Sequence, residues 1–397
     1  LVAAFLIVGI HTYPLRSINA DVNFLFVHVF ARIGVPFFLM ATGYFLMPQY
    51  LGGGSVDRKP LINFIKKTGL LYLGATLLYL PVSIYAGHYA DGNLAATILR
   101  KLVFDGTFYH LWYLPASIIG VLLVYVLGRR LSAKWVLGVS ACLYVLGLLG
   151  DSYYGLVLES PVLRGIYDAG FQRFSYTRNG LFYAPIFLAL GAVLGASKGR
   201  IKTETNAVGL IFSVALLLVE GVMLHRFEFT RHDSMYIALV PCMFFLFQLI
   251  RGQRGRRSFF LRDTSMWVYI LHPLVIVGVR GVMRVVGGAG VVLENSLVFY
   301  ITVAGLSFAA AALIARWKLG RRAISFRQGR AWTEIDLENL RHNVKTLQRM
   351  LPDTCALMPA VKAEAYGHGA KRICRELNRL KVRAFCVASV MEGVALR

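Results

Sequence analysis

Apolar runs of about 18 residues or more recur along this chain, separated by short loops rich in lysine and arginine. A helix of that length crosses the ~30 Å hydrocarbon core of a bilayer, and lipid gives the backbone no hydrogen-bond partner other than the helix itself. The pattern therefore restricts most of the chain to a polytopic α-helical membrane domain. About ten spans are expected: Leu1–Tyr13, Phe24–Met47, Thr68–Tyr89, His110–Gly128, Trp135–Gly150, Gly180–Ser197, Ala207–Leu224, Met235–Ile250, Met266–Val286 and Leu297–Trp317. Composition agrees: of 397 residues, 57% are hydrophobic and 16% charged, too apolar for a soluble protein of this size.

A formal charge of +23 invites a nucleic-acid reading, but the placement of the charge argues against one. Arg58, Lys59, Lys66 and Lys67 follow the second span, and Arg129, Arg130 and Lys134 the fourth. Lys198, Arg200 and Lys202 follow the sixth, and Arg251, Arg254, Arg256, Arg257 and Arg262 the eighth. Arg316, Lys318, Arg321, Arg322, Arg327 and Arg330 follow the tenth. Alternate loops are basic, so these face the cytoplasm, and the soluble tail begins on that side. Gly52–Ser55 lacks the Lys-Ser/Thr ending of a phosphate loop and reads as a hinge. Ala323–Gly329 reads as a basic linker, dividing a membrane domain (1–322) from a soluble one (323–397). The chain opens on Leu1 inside an apolar run and stops at Arg397 where a helix is due, so it is expected to be a piece of a longer protein.

Ionisable residues inside spans are costly and are functional candidates by default. His11 lies at the outer end of the first span, His28 and Arg32 in the second, Glu220 in the seventh and His272 in the ninth, while His110 opens the fourth. The bland reading of each is an interhelical hydrogen bond, and it suits His28 and His110 best. Glu220 is a conceivable partner for Arg32. The run Arg32-Ile33-Gly34-Val35-Pro36-Phe37-Phe38-Leu39-Met40-Ala41-Thr42-Gly43-Tyr44, with the His110-Leu111-Trp112 and Leu271-His272-Pro273 blocks, resembles the acyltransferase-3 family of integral membrane proteins. That resemblance implies movement of acyl groups at the membrane, with His11 at the position of the general base and Arg32 at a polar position of the second span.

The tail alternates short apolar runs with helical periodicity. Ala331–Ile335, Cys355–Val361 and Val382–Ser389 read as strands; Asp336–Met350 and Ala370–Leu380 read as helices, the first with Asp336 as N-cap and Leu337, Leu340, Val344, Leu347 and Leu351 on one face. Lys362 stands where a strand gives way to a loop broken by Gly367 and Gly369. A lysine there can be desolvated, lose its proton and bond to a carbonyl cofactor; the bland alternative is a side chain snorkelling from a strand end. Arg330–Val344, Val361-Lys362-Ala363-Glu364-Ala365-Tyr366-Gly367-His368-Gly369 and Ser389–Arg397 resemble, in order and spacing, the opening blocks of the fold-type III alanine racemases. Glu364 departs conservatively from the family's usual Asp. The resemblance implies the start of an α/β (β/α)8 barrel, pyridoxal 5'-phosphate as cofactor, Lys362 as the cofactor-bearing lysine and one of the two bases, and Tyr366 on the cofactor phosphate. It also implies a homodimer, because the family's second base is a tyrosine from a C-terminal domain of the partner subunit. Nothing in the 397 residues matches that domain, so they are not expected to racemise alone.

A membrane part of the first kind fused to a tail of the second resembles the membrane-bound serine/alanine racemases of vancomycin-resistance clusters. This implies a multi-pass protein of the cell membrane with a cytosolic racemase part acting on L-serine or L-alanine. Alternatives are an acyltransferase of the acyltransferase-3 type and a serine-uptake module. No cluster has metal-ligand spacing. The five cysteines, Cys142, Cys242, Cys355, Cys374 and Cys386, are expected as buried, reduced thiols.

Overall fold

The computed structural model describes residues 1–52, 56–87, 94–197, 199, 201–253, 258–286, 289–327 and 334–397. Outside these lie residues 53–55 of the glycine patch, the third span's end at Tyr89, and the expected loop cations Lys198, Arg200, Arg254, Arg256, Arg257 and Arg330. Also outside are residues 331–333 of the first expected strand. The chain forms two compact units, Leu1–Leu319 and Gly320–Arg397.

The first unit is helical: α1 (Val2–Thr12), α2 (Ala20–Leu46), α3 (Lys59–Tyr85), α4 (Tyr113–Arg130), α5 (Ala133–Leu149), α6 (Ala184–Ala196), α7 (Thr203–Arg226), α8 (Leu239–Gly252), α9 (Phe259–Val286) and α10 (Ser296–Arg327). Six of these, α2, α3, α4, α7, α9 and α10, are long and apolar enough to cross a membrane; α1, α5, α6 and α8 are shorter. The expectation of about ten spans is corrected to six among the described residues. α6 shows why hydropathy overcounts: it has 13 residues and nine of them are buried. A helix of that length reaches only ~20 Å, and its apolar surface meets protein on every side. α10 runs on to Arg327, so the described part of the expected linker, residues 323–327, is helical.

α6 is the axis of the unit. Its Gly191 and Gly195 lie against the backbone of Met40 and Tyr44 in α2, and Gly43 of α2 lies against Leu188, so that a Cβ at Gly43 or Gly191 would collide with main chain. Small residues at such a seam let membrane helices touch along their backbones. Around it pack Leu39, Met40, Tyr183, Phe187, Leu188, Met235 and Leu239, each almost wholly buried.

Two of the long helices are irregular. α2 is π-helical over Leu25–Val29 and 3₁₀-helical over Phe30–Ile33 before resuming as α-helix, and Tyr236 donates its hydroxyl to the His28 carbonyl at 2.8 Å. α9 contains Pro273, whose missing N–H frees the Tyr269 carbonyl. The His272 ring lies with Nδ1 2.9 Å from that oxygen. One residue on, the Tyr79 hydroxyl donates to the Ile270 carbonyl at 2.6 Å and accepts from Leu274 N–H at 3.2 Å. A tyrosine is thus spliced into the helical ladder, which is how a proline is accommodated where water is excluded.

The second unit contains α11 (Leu337–Met350), α12 (Ala370–Arg379) and α13 (Val390–Leu396). Asp336 caps α11, accepting from the Glu338 and Asn339 N–H groups at 2.8 and 3.1 Å. Val344, Val361, Ala365, Ile373, Leu377 and Val382 form a small core; Leu347, expected on the core face, is 48% exposed.

Among the described residues there is no β-strand, and the expected barrel start is corrected. Two of the segments read as strands, Cys355–Val361 and Val382–Ser389, meet in one isolated parallel bridge, Ala360 with Cys386. Val361 N–H donates to the Cys386 carbonyl at 2.8 Å and Cys386 N–H to that of Pro359 at 3.0 Å. A parallel strand takes ladder bonds from neighbours on both sides, and here each extended segment has one neighbour over one residue pair. All five cysteines are free thiols, but only Cys242 and Cys374 are buried; Cys142 and Cys355 are exposed and Cys386 is half-buried.

Candidate functional site

In the first unit three of the polar residues singled out in the sequence, His11, Arg32 and His272, come together. His11, Arg32, Tyr109, His110, Arg178 and Ser234 line a cavity of about 40 Å³, walled by Trp112, Tyr113, Tyr183 and Tyr269. His11 stacks on His272 with ring centroids 5.3 Å apart, and His110 meets the same ring edge-on at 5.3 Å. The carbonyls of Val268 and Tyr269 lie 3.1 and 2.9 Å from His272 Nδ1. Two acceptors there assign the N–H to Nδ1 and leave Nε2 as a bare acceptor. Nε2 of His272 and both ring nitrogens of His110 are buried without a hydrogen-bond partner among the described residues. Such atoms are uncommon and mark a strained or reactive place.

The sequence reading assigned His110 to packing and did not single out Tyr109, Arg178 or Ser234. His110 reads as a packing residue because it begins a span, yet it is 2% exposed, in the histidine cluster. Arg178 sits in an irregular segment with no periodicity to flag it; its guanidinium lies 4.6 Å from the Trp112 ring centroid and donates to Ser234 Oγ at 3.2 Å. His28 lies apart from the cluster, with Nδ1 3.3 Å from Asp233 Oδ2. Glu220 is not the partner of Arg32. It accepts from Tyr153 Oη at 2.8 Å and from the Ile237 and Ala238 N–H groups at 2.7 and 2.8 Å, which cap the start of α8. A carboxylate in an apolar helix is explained by that helix start.

In the second unit, Lys362 opens a turn in which Ala363, Glu364, Ala365 and Tyr366 all have positive φ, from 50 to 58°. Left-handed backbone costs L-residues roughly 1–2 kcal/mol each, and here four take it in succession. Several contacts hold the turn. Ala365 is buried in the core. Gly367 (φ 86°) ends the run and its N–H donates to the Ala363 carbonyl at 3.1 Å. Glu392, from α13, accepts from the Ala363 N–H at 3.0 Å and the Ala388 N–H at 2.8 Å. These bonds, Ala363 first and Ala388 second, hold the Glu392 carboxyl below its ordinary range. Lys362 is exposed, its amine 5.8 Å from the Tyr366 ring centroid, with no carboxylate within ion-pair distance among the described residues. An accessible, uncommitted amine beside a phenol fits covalent attachment of an aldehyde cofactor and a contact to its phosphate.

Residues 1–316 match the family described as Acyltransferase domain. The chain belongs to that family. Residues 335–397 match a second family, Alanine racemase, N-terminal domain, so an acyltransferase-family membrane domain is fused to a racemase domain. Two amino-acid racemases of Enterococcus faecalis are 39% and 36% identical to this acyltransferase-family chain, each over its whole length and 56% of their own. A serine/alanine racemase of Enterococcus gallinarum is 34% identical over the whole chain and 57% of its own length. The chain thus spans a little over half the length of these relatives. No solved structure matches it.

Proposed function

We propose that this chain is the membrane-embedded part, with the beginning of the catalytic part, of a pyridoxal-phosphate-dependent racemase acting on serine or alanine. Residues 1–322 form its membrane domain and 323–397 belong to its catalytic domain, which faces the cytosol and works as a homodimer. Its D-amino acid serves cell-wall precursors of the kind that give vancomycin resistance. The carrying observation is the unbroken similarity of both units, in one order, to proteins named as amino-acid and serine/alanine racemases.

Pyridoxal phosphate, when bound, supplies an electron sink that makes an amino acid's Cα proton removable. Lys362 would hold the cofactor through its amine in the absence of substrate, and that amine, once freed, would take or return the Cα proton on one face. Tyr366 contacts the phosphate. The left-handed turn fixes the spacing between the two side chains. The test uses the full-length protein with pyridoxal phosphate and L-serine or L-alanine: D-product forms, and Lys362→Ala abolishes it. Borohydride treatment of the loaded protein labels Lys362; absence of label there sinks the reading.

A second reading is favoured by the histidine cavity in a domain of the acyltransferase family: acyl transfer with His11 as base, Arg32 holding an anionic group and His272 orienting His11. If Lys362→Ala spares all activity and His11→Ala removes an acyl-transfer activity, this reading replaces the first. If neither substitution matters and serine uptake falls on loss of the spans, the membrane domain is an uptake module.

A further inference from the structure

A second cavity in the first unit is larger and more basic than the histidine site. It measures about 510 Å³ and is lined by Thr12 at the end of α1, Tyr13, Arg16 and Ser17 after it, Arg280 and Arg284 of α9, and Leu293, Glu294, Ser296 and Phe299 around the start of α10. Three guanidiniums face one carboxylate. None of the three makes an ion pair with a carboxylate among the described residues. Arg280 lies 5.4 Å from the Phe299 ring centroid, which positions its charge without neutralising it.

The walls are built. The Ser17 and Ser296 hydroxyls are 2.8 Å apart, and Ser296 Oγ donates to the Pro14 carbonyl at 2.9 Å. Asn295 caps α10, accepting from the Leu297 and Val298 N–H groups at 3.1 Å each, and the positive end of that helix adds to the field. Snorkelling accounts for a lone arginine near a helix end. It does not account for two arginines one turn apart on α9 meeting a third from another segment across a cavity of ligand size. Positive-inside placement does not account for them either: this end of the unit is opposite the loops that carry Lys59, Arg129 and Arg251.

We propose that this cavity is a phosphate-binding site in which Arg16, Arg280 and Arg284 hold one phosphate group. One bidentate arginine satisfies a carboxylate; three converging guanidiniums match a group with more oxygens and more charge. The phosphate is that of a lipid headgroup or of a soluble phosphoester. Thr12 lines this cavity and its neighbour His11 lines the other, so a bound phosphate sits beside the histidine site. The proposal is independent of the racemase reading.

The test is thermal melting of the full chain in uncharged detergent, followed by tryptophan fluorescence at constant ionic strength. One arm titrates inorganic phosphate and the other a short-chain phosphatidylglycerol. A saturable rise in Tm is expected in at least one arm; a rise with the lipid alone assigns a headgroup, and a rise with both assigns a free phosphate. Arg280→Gln/Arg284→Gln weakens the apparent affinity at least ~10-fold, and Glu294→Gln strengthens it. Should the double variant fail to fold, Arg16→Gln, in a loop, gives the same readout. No saturable rise in either arm, or one equally large in the arginine variants, overturns the proposal.

Discussion

Glu392 reaches from the first turn of α13 to the N–H of Ala363, 3.0 Å away, and so fastens the residue after Lys362 in a left-handed conformation. The carboxylate form makes this bond and its twin to Ala388. The folded carboxyl titrates below its ordinary value of 4.5. A depressed carboxyl stabilises the fold above the unfolded value, and that stabilisation is lost as pH falls through the folded one. The second unit is therefore expected to loosen below about pH 4.5. Glu376, held low chiefly by Arg341 at 2.6 Å, adds to the same trend. Glu392→Gln flattens the acid limb of a Tm-against-pH curve; an unchanged curve refutes the link.

Glu392→Ala also releases the Ala363 N–H, and the turn that positions Lys362 relaxes. In the full-length protein, borohydride-trapped pyridoxyl at Lys362 should fall while far-ultraviolet dichroism stays constant. Lys362→Arg should abolish trapping, and Tyr366→Phe should weaken cofactor retention without abolishing it.

Tyr79→Phe removes one oxygen and is otherwise isosteric, yet it strips the Ile270 carbonyl and Leu274 N–H of their shared partner. Leaving a buried polar group unpaired costs about 1–3 kcal/mol. The detergent-solubilised protein should melt several degrees lower, whereas Tyr85→Phe, at a side chain 94% exposed, should change nothing.

Gly191→Ala places a methyl group against the Met40 backbone, and neither main chain can yield cheaply. Overpacking costs about 1–3 kcal/mol or more, and loss of a monodisperse peak in size-exclusion chromatography is expected. Gly138→Ala, where nothing lies within 4 Å, should be neutral or stabilise α5 by about 0.5–1 kcal/mol.

The membrane class was legible because lipid solvation is written into composition: each expected span coincides with a helix. Which of them are long enough to cross was not, because α6 is as apolar as a span while being enclosed by protein. In the tail, Asp336 announced a helix start, since an N-cap is a local device; Ser389, read as a strand end, instead caps α13. The strands failed because ladders depend on neighbours that one segment does not encode. His11, Arg32 and His272 stood out as polar groups in apolar runs, and the fold brings them together. Arg178 and Asp233 sit in irregular segments, where residue type carries no address. The broken stretch of α2 had no signal either: Leu25–Ile33 contains no proline or glycine.

The turn after Lys362 has a consequence for synthesis. Its backbone follows the chirality that mirror-image building blocks adopt without strain. Replacing Ala363 and Ala365 with D-alanine by semisynthesis would keep every side-chain atom while removing the steric objection to that conformation. With only Glu364 and Tyr366 left as L-residues at positive φ, the segment would depend less on α13 for its shape.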